Sequence, residues 1–147
     1  MTMKTHTIPL LSHESVAAVA GTLRAVWRPV EPQPEGEMAG PLEAQPGVWF
    51  DHHHILSGYT CPFGQPGDVA VCRWKVADHW DHCHWAEETY RITSVDVRRV
   101  SEMTAEEAVA WGLEANPGCS ARALAWTVWT ARYGEAEWAW CVGMEER

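Results

Sequence analysis

At 147 residues and 16.5 kDa, with hydrophobic side chains making up 46% of the chain, the sequence has the size and apolar content of one ordinary domain with a real core, which excludes wholesale disorder. Eleven Lys and Arg against twenty Asp and Glu leave a formal charge of −9. That balance excludes a general nucleic-acid coat, because phosphate binding needs clustered cations.

Thr5 to Leu11 predicts a short strand, and Ser12 then offers an N-cap to a short helix that runs through Glu14, Val16 and Ala17 and ends at Gly21. Thr22 to Val30 is extended in pattern. From Pro29 onward five prolines interrupt the chain, so a surface loop at about 29–47, rather than a regular element, is expected. Val48 to Phe50 predicts a strand, followed by the polar run Asp51-His52-His53-His54. Thr60 to Asp68 is turn chemistry throughout. Val69 to Val76 predicts a strand with Val69, Val71, Arg73 and Lys75 on one face and Ala70, Cys72, Trp74 and Val76 on the other.

Tyr90 to Val100 is β-branched and mostly alternating, the clearest strand signal in the chain. Thr104 and Glu107 form a capping box that opens a helix stopping near Gly112. Ser120 and Gly134 bracket another, with Ala121, Leu124, Ala125, Val128 and Trp129 at helical spacing. Trp138, Trp140, Val142 and Met144 alternate in a closing strand. The sum is five or six strands with three short helices, an α+β domain or small partly open barrel.

No apolar run approaches the roughly 18 residues of a membrane span. Met1 to Leu11 lacks the apolar core and cleavage site of a signal peptide. The five cysteines (61, 72, 83, 119 and 141) are odd in number and irregular in spacing, which suits reduced thiols and a cytoplasmic protein.

Read in order, four pieces resemble the ASCH domains of the PUA-like superfamily, in the version encoded by phages and prophages. IPLLSHESVAAVAGTLRAVWRPVEPQP is similar to that family's first strand, helix and Gly-x-Lys-x-x-Thr-x-Arg motif. CPFGQPGDVAVCRWK resembles its Cys-Pro-Tyr-Gly-x-x-Gly-Asp turn and the strand after it. ITSVDVRRVSEMTAEEAVAWGLE resembles its next strand and capped helix, and LAWTVWTARYGEAEWAWCVGMEE its last helix and closing Trp-x-Trp strand. The resemblance covers nearly the whole chain. It implies a small β-barrel with helices packed round it and a cleft that receives a nucleobase, nucleotide or RNA.

Some ASCH proteins are amidohydrolases acting on acylated cytidines, with chemistry assigned to the motif Lys and Thr and to a Glu on the strand after the Gly-Asp turn. Gly21 and Arg28 match the ends of the motif here, but the Lys position is Leu23, the Thr position Val26 and the Glu position Trp74. Arg24 stands one residue from the missing Lys, yet a guanidinium is effectively always protonated and cannot act as a base. Hydrolysis needs an activated nucleophile and a proton shuttle, and these replacements remove both. The family reaction is expected to be absent, with no catalytic residue assigned.

Arg24, Arg28, Arg73, Lys75, Arg91, Arg98 and Arg99 fall on predicted strands beside the expected cleft. One reading makes Arg24, Arg28, Arg73 and Lys75 phosphate or nucleotide contacts, with Trp27 or Trp74 stacking on a base. The other pairs these cations with the surplus carboxylates on solvated faces. His79, His82, Cys83 and His84 supply zinc-type donors, although their spacing matches no known finger or ribbon, and a solvated loop is the plainer expectation. No other cofactor is expected.

Ten Trp residues are more than a core of this size needs, and Trp80, Trp85 and Trp126 are candidates for a protein interface. Three functions stay open. One is a non-catalytic module of phage origin that binds RNA or a modified nucleotide. The second is an acidic phage protein that binds and inhibits a host defence complex, as an anti-CRISPR factor does. The third is an amidohydrolase with relocated catalytic groups, such as Glu88 or a histidine.

Overall fold

The computed structural model describes residues 3–41, 47–51, 54–77 and 83–147. Strand β1 (Thr5–Pro9) leads into helix α1 (Ser12–Ala20), and β2 (Ala25–Pro29) follows. Three short strands come next, β3 (Met38–Ala39), β4 (Val48–Asp51) and β5 (His54–Thr60). The long pair β6 (Val69–Ala77) and β7 (Cys83–Arg99) forms an antiparallel hairpin. A 3-10 turn at Val100–Glu102, helices α2 (Ala105–Ala110) and α3 (Ala121–Tyr133), and strand β8 (Trp138–Glu146) complete the chain.

The main sheet has the order β1-β6-β7-β8-β2, with β1 parallel to β6 and every other pair antiparallel. Strands β3, β4 and β5 make a separate antiparallel sheet. The α+β class expected from the sequence is therefore present, with three α-helices. The described strands number eight rather than five or six. Among the described residues β1 and β2 are edges with no ladder between them, so the sheet does not close into a barrel.

Three local expectations are corrected. The loop at about 29–47 is not free of regular structure, because Met38 and Ala39 pair with Asp51 and Phe50 of β4. Strand β5 was hidden by its polar start and its Gly58, and only its pairing with β4 makes it a strand. Strand β7 begins at Cys83 rather than Tyr90, since the register with β6 continues through Ala77 and Cys83. The second half of the HWDHCHW segment is thus ladder rather than loop; its first residues lie outside the described chain.

An irregularity in β7 explains why its sequence alternates imperfectly. Ile92 pairs with Met144 and Ser94 with Gly143, so β7 carries one extra residue there. A bulge of this kind shifts the side-chain parity. Tyr90 and Ile92 before it, and Val95 and Val97 after it, consequently pack into the same apolar cluster.

That cluster lies on one face of the main sheet. It joins Ile8, Val26, Cys72, Trp138, Trp140 and Val142 to Trp49 and Cys61, with Met38, Tyr59 and Phe63 packed against it. A second cluster joins Trp27 and Ala139 to the buried sides of α2 and α3, through Trp111, Ala125 and Trp129. The Thr104–Glu107 capping box forms as expected, with reciprocal bonds of 3.1 and 2.9 Å. Ser120 caps α3 through Ala123 N at 3.1 Å. At α1 the N-cap is Leu11 rather than Ser12, and Glu14 reaches back to the Leu11 amide at 2.7 Å.

Candidate functional site

The open edge between β1 and β2 is bridged by side chains. Glu14, in the first turn of α1, is fully buried and its two oxygens receive four donors. Oε1 accepts from Leu11 N and Arg28 Nη2, both at 2.7 Å. Oε2 accepts from Arg28 Nη1 at 2.7 Å and Trp111 Nε1 at 2.6 Å. The other Nη hydrogens of Arg28 go to Trp27 O and Pro9 O, each at 2.9 Å. One guanidinium therefore ties β1, β2 and α1 together, and the Trp111 indole adds the end of α2. Burial works against the charge on Arg28, but the hydrogen bonds and charge of Glu14 outweigh it and raise the guanidinium pKa.

Beside this node lies a cleft of about 650 Å³. Arg28, Pro29 and Glu31 form part of its wall, Tyr59, Thr60 and Phe63 reach it from β5 and the turn that follows, and Tyr133 and Trp140 line it from α3 and β8. Four aromatic rings and three prolines thus surround a space large enough for a flat heterocycle. Tyr133 is fixed by its contact with Trp129, ring centroids 4.6 Å apart. The CPFGQPGD turn is held by Asp68, whose carboxylate accepts from Lys4 N at 3.2 Å and Gln65 N at 3.0 Å and meets His6 Nε2 at 2.9 Å. Burial resists ionisation of Asp68, but the His6 bond and these amides more than compensate and hold its carboxyl below the usual range.

Of the residues proposed from sequence to contact a ligand, the structure brings Arg28 alone to this cleft. Trp27 is completely buried in the helix-side cluster, which corrects its assignment as a ring that stacks on a base. Trp74 is half-buried against the sheet cluster on β6. Arg24 is exposed and donates to its own neighbour's carbonyl, Leu23 O. Arg73 and Lys75 lie elsewhere, over the exposed ring of Trp85 at 4.6 and 5.3 Å.

Most of the strand cations are neutralised. Arg28 pairs with Glu14, Arg73 with Glu87, Arg91 with Glu145, Arg98 with Glu107, and Arg99 with both Glu37 and Glu137. No continuous basic track remains along these residues.

Leu23 and Val26, set against a Lys and a Thr by the sequence resemblance, have no exposed surface and pack in the sheet-side core. Burial also pushes the thiol of Cys61 up to about 11 and that of Cys72 up to about 12, so neither is a ready nucleophile. Glu88 lies opposite Cys72 across the β6–β7 ladder. His79, His82 and Trp80 lie outside the described residues. Cys83 starts β7, and His84 next to it is exposed. Among the described residues no group of three or more His, Cys, Asp or Glu is placed to hold a metal ion.

Trp85 and Trp126 are each about half exposed, at 51% and 52%. Trp126 stands between two shallow grooves of about 430 and 380 Å³ on α3.

Sequence reasoning missed the cleft's aromatic wall. Trp140 reads as core from its alternation, and Tyr133 as the end of a helix. Tyr59 and Phe63 sit in segments with no regular pattern. The density of rings around the CPFG turn was the available signal.

The fold and cleft define an α+β domain built on an open five-stranded sheet, with an aromatic-walled recess beside a buried ion pair. Among solved structures, the chain is similar to an ASCH domain from Lactobacillus crispatus JV V101, at 15% identity and a TM-score of 0.49, over 97% of this chain and 79% of that one. No protein-family model matches the sequence, and neither does any curated protein.

Proposed function

We propose that this chain is a non-catalytic ASCH/PUA-like binding module of phage origin that works in the cytoplasm of a bacterial host and holds a nucleobase, from RNA or a modified nucleotide, in the cleft beside Arg28. The observation that carries this reading is the pairing of an aromatic-walled cleft with buried Leu23 and Val26 where the resembling family has proton-handling groups. The partly exposed rings of Tyr59, Phe63 and Tyr133 offer stacking surfaces to a base, and stacking tolerates many bases because each has a π-face. The four sequence segments that resemble the family add weight in the same direction.

Intrinsic Trp fluorescence, titrated with nucleosides and short oligoribonucleotides, tests the proposal. Saturable quenching is expected, and Phe63→Ala should weaken binding by about 1–3 kcal/mol, the usual worth of one stacked base. Absence of any response to nucleosides and oligonucleotides would refute it. One observation favours the second reading, a phage-encoded inhibitor of a host defence complex: Trp126 is exposed between two apolar grooves. Co-purification of a host complex that is lost in Trp126→Ala, with no nucleobase binding, would select that reading.

A further inference from the structure

Charge accounting around the cleft says more about the ligand than its shape does. Arg28 is the cationic side chain that lines it, and all four Nη hydrogens of that group are already given to Glu14, Trp27 O and Pro9 O. Its charge is cancelled by a carboxylate held in two bonds. A phosphate needs cations or donors that are still available, and the described cleft wall offers it few.

The other charged residue on that wall is Glu31. Burial raises the Tyr59 hydroxyl pKa, and the charges of Asp51 and Glu35 raise it further. An acidic, ring-walled recess suits a flat group that carries positive charge, because aromatic faces attract cations and a nearby carboxylate adds to the attraction.

We propose that the cleft selects a cationic, N-alkylated nucleobase and takes it as a nucleoside moiety, with any phosphate kept outside. The proposal rests on the base-binding reading above and names the chemical class it reads. The faces of Tyr59, Phe63 and Tyr133 hold the ring, and Glu31 supplies the counter-charge.

The test uses three adenosines of matched shape in fluorescence and calorimetric titrations of the purified protein. N1-methyladenosine is cationic at neutral pH, N6-methyladenosine is its neutral isomer, and adenosine lacks the methyl group. The cationic nucleoside should bind about tenfold more tightly than its neutral isomer, within the usual range of cation–π attraction. Its 5′-monophosphate should bind no more tightly than the nucleoside. Glu31→Gln, at an exposed position, should leave thermal unfolding unchanged and shrink the preference for the cation several-fold. Equal affinity for the two methyl isomers, tighter binding of the phosphate form, or a preference untouched in Glu31→Gln would overturn the charge selection and leave base binding standing. No binding of any adenosine or oligonucleotide would overturn both.

Discussion

Replacing Glu14 by Gln probes the node that holds the open side of the sheet together. The change keeps the side chain's shape, but it removes the charge that balances Arg28 and turns one acceptor oxygen into an amide donor facing N–H groups. Glu14 has no exposed surface and Arg28 only 7%, so water cannot take over either role. Breaking one partner of a buried pair costs about 3–5 kcal/mol. A domain of this length has roughly 5–15 kcal/mol to lose. At about 2–4 °C per kcal/mol, the melting temperature should fall by about 6–20 °C. Urea and thermal unfolding followed by circular dichroism measure this directly. Glu14→Gln combined with Arg28→Met should be less damaging than Glu14→Gln alone, because the double variant leaves no buried uncompensated charge. A loss below about 1 kcal/mol in the single variant, the scale of an exposed ion pair, would refute the reasoning.

His13 packs edge-on against Trp111 with ring centroids 4.6 Å apart, and burial lowers its pKa, with Glu14 opposing and Arg28 adding to the shift. The unfolded chain then binds more protons than the folded one as pH drops below about 6.5, so stability should decline on acidification, and His13→Gln should flatten that limb of the unfolding curve. Asp68, held low by His6 and two backbone amides, acts further down the scale; its contribution is present above about pH 4 and lost below. Asp68→Asn should therefore cost about 1–3 kcal/mol at neutral pH in urea unfolding and almost nothing at acid extremes. Gly112 has φ +98, and an added Cβ would lie 2.9 Å from Ala17 Cβ and 3.2 Å from His13 O. Gly112→Ala should destabilise the α1–α2 contact by more than about 1 kcal/mol in the same assay. Purified protein incubated with acylated cytidines should release no acid detectable by chromatography, and measurable turnover would show that proton-handling groups exist elsewhere on the chain.

The local grammar of this chain was legible in its residues. The capping box at Thr104, the Ser120 cap, the alternation of β8 and the extended runs of β1, β2 and β6 are all encoded within a few neighbours, where propensity and periodicity act. That Leu23, Val26 and Trp74 carry no proton-handling group could also be read directly, because it depends on side-chain chemistry alone. Elements whose stability comes from partners distant in sequence could not be read this way. Strand β5 exists because β4 pairs with it, and the first part of β7 because β6 does.

The fate of the cations was decided at the tertiary level as well. Nothing near Arg28 in sequence says that Glu14 will absorb its charge, and nothing near Arg99 names Glu37 and Glu137 as its partners. A sequence carries charges and rings as an inventory, fixing their number and local spacing. Whether a given arginine faces a ligand or a carboxylate, and whether a tryptophan is wall or core, depends on which segments the fold brings within a few ångströms, since those contacts set its desolvation and its hydrogen-bond partners.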